Sequence, residues 1–273
     1  MKQGSLLLTA AVAATLFSCT KDTNIESGQR SEILSAKNEK SIQALKFNTF
    51  YGPQVQMGDG KARSFITISH TGVPEEIGME LTSGALTGLP TEGEPHYNLP
   101  LHQKAQAATP YDHLAINWNP FGHPPPGVYT VQHFDFHFYM ISMDEQMMIP
   151  EYNATTAMMF DKAPAPGYLP ENYIPIPGGV PMMGKHWVDV TSPELHGVPF
   201  TKTLIYGTFD GKVIFHEPMV TLAVIQSGET IDAALPQALN VAEKDTYYPT
   251  RYKVYMDATT GKHYISLTNF IWR

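Results

Sequence analysis

The sequence predicts a mainly β fold, an antiparallel β-barrel or sandwich with a few short helices and long proline-rich loops. Three observations carry this. Aromatic and β-branched residues gather in short runs bounded by Gly, Pro, Asn and Asp. Prolines number 22 and glycines 21, enough to punctuate turns and interrupt helices. Asp-Gly stands between two such runs at 59–60 and again at 210–211, where tight hairpin turns need positive φ. With 273 residues, 42% of them hydrophobic and 16% charged, the chain can bury a sizeable core. A formal charge of −8 and no basic stripe argue against nucleic acid as a partner.

The first element is a targeting segment. Met1-Lys2 supplies positive charge, and 6–17 is an apolar run too short to span a bilayer. Leu16-Phe17-Ser18-Cys19 follows and resembles the lipobox of bacterial lipoproteins. The resemblance implies cleavage of a signal peptide at 1–19, acylation of Cys19, and a membrane partnership through the lipid. The expected location is the cell envelope, on the periplasmic face or the outer surface. Cys19 is the only cysteine, so a disulfide within the chain is excluded. Residues 20–46 are polar and read as a flexible tether, with a loosely helical stretch at 32–45. A single β domain is expected over 47–273.

Within that domain, 47–57 and 62–69 read as a hairpin around Gly58-Asp59-Gly60. Residues 74–81, with carboxylates at their start, read as one or two helical turns. The Gly-, Pro- and Thr-rich 83–109 reads as a long packed loop, and 114–118 as a short strand. A turn at 122–127 leads into a strand over 128–139. Ser142 or Asp144 caps a short helix in 140–148, a second covers 154–160, and 164–179 is a proline-rich loop. The clearest hairpin joins 202–209 to 212–221, with Pro218 marking an irregularity or an edge. A last hairpin joins 251–256 to 263–272.

Gly-His-Pro-Pro (122–125), His-Phe-Asp-Phe-His-Phe-Tyr (133–139), Met-Gly-Lys-His-Trp (183–187), Tyr-Gly-Thr-Phe-Asp-Gly (206–211) and Glu-Pro-Met (217–219) together resemble a family of uncharacterised bacterial exported proteins. Its type member is a Thermus protein under sigma-E/anti-sigma-E control. The resemblance spans roughly 47–221 and implies a mostly β fold that tends to homo-oligomerise. It brings no catalytic residues.

The strand 128–139 carries the candidate site. Successive side chains alternate between faces. Phe134, Phe136 and Phe138 must lie against a core, which puts Tyr129, Val131, His133, Asp135, His137 and Tyr139 on the other side. Imidazole and carboxylate are ligands for zinc, iron, manganese and copper. Side chains two apart on a strand stand about 6.5–7 Å apart, and four apart about 13 Å. Asp135 can therefore share an ion with either histidine, but His133 and His137 share one only at full stretch. Other ligands must come from elsewhere: His186 and Glu217 are selected, from a group that includes Asp189, His123 and His113. Glu217 is expected to point inward with Val213, Phe215 and Met219, and His216 to lie on the opposite face with Ile214 and Lys212.

Two other readings stand beside a metal. Asp135 could orient an imidazole for general acid–base work, although no Gly-x-Ser-x-Gly elbow accompanies it. The row could equally be a buried polar network that fixes strand register. Methionines at 140, 143, 147, 148, 158, 159, 182 and 183 either fill gaps under loops or, with histidine, suit Cu(I). Trp118, Trp187 and Trp272 read as core or as a ligand-stacking lining. The functions expected are therefore binding of a divalent metal or small polar ligand, a metal-dependent enzyme that activates water, or a ligand-free structural oligomer.

Overall fold

The computed structural model describes residues 47–273. The expected signal peptide with Cys19, the tether and the stretch at 32–45 lie outside the described residues. Sheet A contains β1 (Phe47–Tyr51), β2 (Val55–Met57), β3 (Gly60–Ser69), β4 (Pro74–Leu81), β12 (Ile231–Ala234), β13 (Tyr247–Asp257) and β14 (Lys262–Trp272). Its order is β1-β3-β4-β14-β13-β12, with β2 also on β3. Sheet B contains β5 (His96–Pro100), β6 (His113–Asn119), β7 (His133–Tyr139), β8 (Tyr173–Pro175), β9 (Lys185–Asp189), β10 (Lys202–Phe209) and β11 (Lys212–Thr221). Its order is β5-β6-β7-β11-β10-β9-β8. All strand pairs are antiparallel, as in β6–β7 and β13–β14, and the sheets pack as a sandwich rather than a closed barrel.

One core fills the space between the sheets, with Ile66, Ile77 and Leu267 from sheet A meeting Phe134, Phe136 and Phe138 from sheet B. Burial of these rings is the main force holding β7 in register. Among the described residues four short α-helices decorate the sandwich: α1 (Gln103–Ala108), α2 (Met143–Met147), α3 (Ala157–Phe160) and α4 (Leu222–Ser227). The Ser142 cap on α2 forms a full capping box with Glu145.

Several elements differ from the sequence expectation. Residues 74–81 are a strand, because Ile77, Met79 and Leu81 enter the core while Glu76 and Glu80 alternate with them. Period two outweighs the acidic start. Gly78 lets β14 lie close, since a Cβ there would stand 2.3 Å from the Ile265 carbonyl oxygen. The expected loop at 83–109 contains a 3-10 turn (Ser83–Leu86), β5 and α1. The first hairpin arm is two strands, and the central strand begins at His133 rather than 128. Pro218 lies in the middle strand of sheet B, not at an edge. It marks an irregularity all the same: Glu217 and Pro218 are skipped in the pairing of β11 with β7, while Pro218 still pairs with Leu204 in β10.

The two sheets treat their outer faces differently. On sheet A, Glu80 accepts hydrogen bonds from Arg63 Nε (2.8 Å), Lys262 Nζ (2.9 Å) and the Tyr264 hydroxyl (3.1 Å). On sheet B, residues between the strands fold over the outer face and form two smaller apolar clusters. Tyr139, Phe160 and Phe215 belong to one, and Tyr129, Phe200 and Met219 to the other. A polar belt runs between them.

Candidate metal centre

The belt crosses sheet B strand by strand. Asn117 on β6 pairs with Asp135 on β7, and His137 is next on the same face of β7. Glu217 on β11 pairs with Ile205 on β10, and Gly207 on β10 pairs with His186 on β9. Strands lie about 4.8 Å apart, so His186 must cross β10 to meet Glu217. Gly207 leaves that path clear, and the Phe215 ring lies so close that a Cβ at 207 would stand 2.1 Å from it.

Six side chains form two groups of three, each with two histidines and one carboxylate: His123, His133 and Asp135, and His137, His186 and Glu217. Within each group one ligand atom per residue lies within 4.8 Å of the others. Zinc bonds of about 2.0–2.2 Å place tetrahedral ligands roughly 3.3 Å apart, so small side-chain rotations close either group on an ion. All five residues selected from sequence lie here, divided between two groups rather than gathered in one.

In the first group the histidine tautomers are set by carbonyls. His133 Nδ1 bonds to the Val131 carbonyl (2.7 Å) and His123 Nδ1 to the Pro124 carbonyl (2.7 Å). A carbonyl only accepts, so each Nδ1 carries a hydrogen and each neutral ring presents a lone pair at Nε2. Both Nε2 atoms point at Asp135, at 3.2 Å from Oδ1 for His133 and 3.6 Å from Oδ2 for His123. Asn119 donates to Asp135 Oδ2 at 2.8 Å, while His133 Nε2 and Asp135 Oδ1 are buried with no hydrogen-bond partner. With both rings neutral two acceptors would face each other at close range, an arrangement that a proton on an imidazole or a cation between them resolves.

The second group is deeper. Glu217 Oε1 lies 3.7 Å from His137 Nε2, and Oε2 lies 3.6 Å from His186 Nε2. Both His137 nitrogens and Glu217 Oε2 are buried without a partner. Eight buried side-chain polar atoms among the described residues lack partners, and five belong to these two groups. Buried polar atoms are rarely left unpaired without a bound water, an ion or a functional reason.

Burial raises the Asp135 carboxyl, but the imidazoles of His133 and His123 outweigh it and hold Asp135 well below the usual carboxylate range. Burial likewise lowers His123, and Asp135 more than compensates, leaving it raised. Burial pushes His137 down to about 3 and His186 down to about 4, keeping both neutral, the form that binds metal. Burial, with the charge of Asp135 added, holds Glu217 well above the usual range.

Other candidates are placed elsewhere. His113 bonds Gln146 (2.9 Å) and stacks on Tyr139, and Asp189 caps its own turn through Thr191 (2.8 Å). His216 does face away, bonded to the Tyr111 hydroxyl at 2.6 Å and pushed down to about 3 by burial. Val213 shares that side and packs on the main core, because the β10–β11 register shifts between Gly207 and Thr208 and breaks the alternation assumed for it. His123, named among the wider candidates, is the member of these groups that strand periodicity does not select. It sits in a turn, where no period operates, and its signal is the Gly122-His123-Pro124 string itself. Met140 packs on the main core and Met183 on an outer cluster, whereas Met147, Met148 and Met158 are exposed and fill no gap. Trp118 and Trp187 are core, while Trp272 is exposed.

A family model described as TTHB210-like, hypothetical protein TTHB210, matches residues 69–118. This agrees with an uncharacterised Thermus-type family, over a shorter span than the 47–221 expected. The matched stretch runs from the end of β3 to Trp118 in β6 and stops before His123, so it contains no member of either group. No curated protein and no solved structure matches the chain.

Proposed function

We propose that this protein binds divalent transition-metal ions in the polar belt of sheet B, at the cell envelope, tethered through a lipid on Cys19. The observation that carries the metal reading is the convergence, twice over, of two imidazoles and one carboxyl group with ligand atoms within 4.8 Å of one another, His133 Nε2 and Asp135 Oδ1 being buried 3.2 Å apart. Nitrogen and oxygen donors without thiolate suit zinc, iron(II) or manganese. The envelope location is supported by the sequence of 1–19, and among the described residues no helix is long and apolar enough to cross a membrane.

A metal-dependent enzyme is the second reading, favoured by the ligand number. Three protein ligands per ion leave a coordination position for water or substrate. Elemental analysis of protein purified without chelator, beside an Asp135→Ala, His137→Ala double variant, tests the proposal. Near-stoichiometric metal in the parent and none in the variant is the expected result. Metal-free parent protein that stays so on dialysis against zinc, iron(II) or manganese would make the belt a polar network in the sense of fold specificity.

A further inference from the structure

We infer that the two groups hold two ions of unequal lability, the His123–His133–Asp135 ion exchanging with solution through the turn at 122–127 and the His137–His186–Glu217 ion being retained. This rests on the metal-binding reading above and gives that reading a direction: one ion is cargo and the other a fixture.

The ligand sources differ. His137, His186 and Glu217 all stand on strands of one hydrogen-bonded sheet, β7, β9 and β11. The Phe215 ring stands edge-on to His137 at 4.8 Å and 5.4 Å from His186, and Tyr139 stacks on His137 at 5.3 Å. Releasing that ion requires the aromatic cover to part from the sheet, a larger opening than a turn makes.

The other group takes His133 and Asp135 from β7 but His123 from outside every strand. The His123 side chain is 27% exposed, against 16% for His186, the most accessible ligand of the retained ion. The turn closes largely on itself. Gly122 N–H bonds the Asn119 carbonyl (3.3 Å), His123 N–H the Tyr129 carbonyl (3.0 Å) and Val128 N–H the Pro125 carbonyl (3.2 Å). Gly122 and Gly127 have φ of 69° and 80°, a region in which glycine moves freely. Tyr129 pins the far end by burial and by its hydroxyl on Glu194 (3.3 Å). His123 can therefore swing away from an ion without breaking a strand ladder, and return to the same place.

Zinc-loaded full-length protein, mixed with excess chelator that reports zinc by absorbance, reads the difference directly. Two zinc ions per chain should leave in two phases of equal amplitude, separated at least about tenfold in rate as local and larger openings are. His123→Ala should retain one zinc per chain and show the slow phase alone. His186→Ala should retain one and show the fast phase alone. Since His186 sits in the buried layer and its loss can unfold the chain, the decision falls on His123→Ala, with circular dichroism confirming its fold. Two ions leaving in one phase, a single ion per chain, or loss of the slow phase in His123→Ala would overturn the inference while leaving metal binding intact. No bound zinc at all would remove both.

Discussion

Glu80 on sheet A and Glu217 on sheet B pose the same physical problem and meet it differently. Their side chains are 3% and 2% exposed, so each carboxylate has been taken out of water at considerable expense. Around Glu80 the chain supplies its own cations, Arg63 and Lys262, and a tyrosine hydroxyl. Around Glu217 it supplies two histidines that burial keeps neutral and leaves Oε2 without a partner. The chain neutralises one buried carboxyl with its own cations and leaves the other to a proton, which a bound cation would displace.

The contrast can be broken or sharpened by experiment. The largest effect expected is on zinc-dependent stability. At one hundred times its dissociation constant, zinc should stabilise the wild type by about 2.7 kcal/mol per site, read as a shift in denaturation midpoint. An Asp135→Ala, Glu217→Ala double variant should show no shift, and a shift retained there would place the ion elsewhere. Next, Glu80→Ala should cost about 1–3 kcal/mol by leaving Arg63 and Lys262 unpaired, with zinc stoichiometry unchanged in the same preparation. Glu217→Gln should invert that pattern. Measured in chelator its stability should lie within about 1 kcal/mol of wild type, since the amide replaces a carboxyl that burial already keeps protonated, while zinc bound in the absence of chelator falls.

The smallest effect concerns Glu76, on the same strand of sheet A as Glu80, where burial raises the carboxyl despite the Tyr255 hydroxyl bond at 3.0 Å. A carboxyl with a raised folded-state value binds its proton more readily folded than unfolded. Its contribution is present below the unfolded value near 4.5 and declines as pH rises through the folded one. Glu76→Gln should therefore gain on wild type as pH goes from 4 to 8 in urea titrations. A gain that grows toward acid would reverse the sign of the Glu76 term.

Much of the site was legible because it lies on one strand. Three phenylalanines in alternation dictate which way His133, Asp135 and His137 point, and this needs no knowledge of neighbours. Glu217 was legible for a weaker reason. It is buried, as an inward-pointing residue would be, but on the side of sheet B away from the main core, and Val213 in the same set crosses to that core after a register shift that no local pattern announces. The division into two groups depends on β9 lying two strands from β11, across β10, and on a turn that returns His123 to Asp135, both products of tertiary pairing. Residues 74–81 show the limit of reading charges before period, since two leading carboxylates suggested a helix where apolar alternation builds a strand.

Because β7 contributes to both centres, it behaves as a reading frame. A single residue inserted or deleted within 133–139 would exchange its two faces, sending phenylalanines outward and imidazoles toward the core, and both centres would vanish in one step. The same change in the turn at 122–127 touches one ligand of one centre. A change of length in the turn therefore disturbs one group alone, while a change of length in β7 disturbs both.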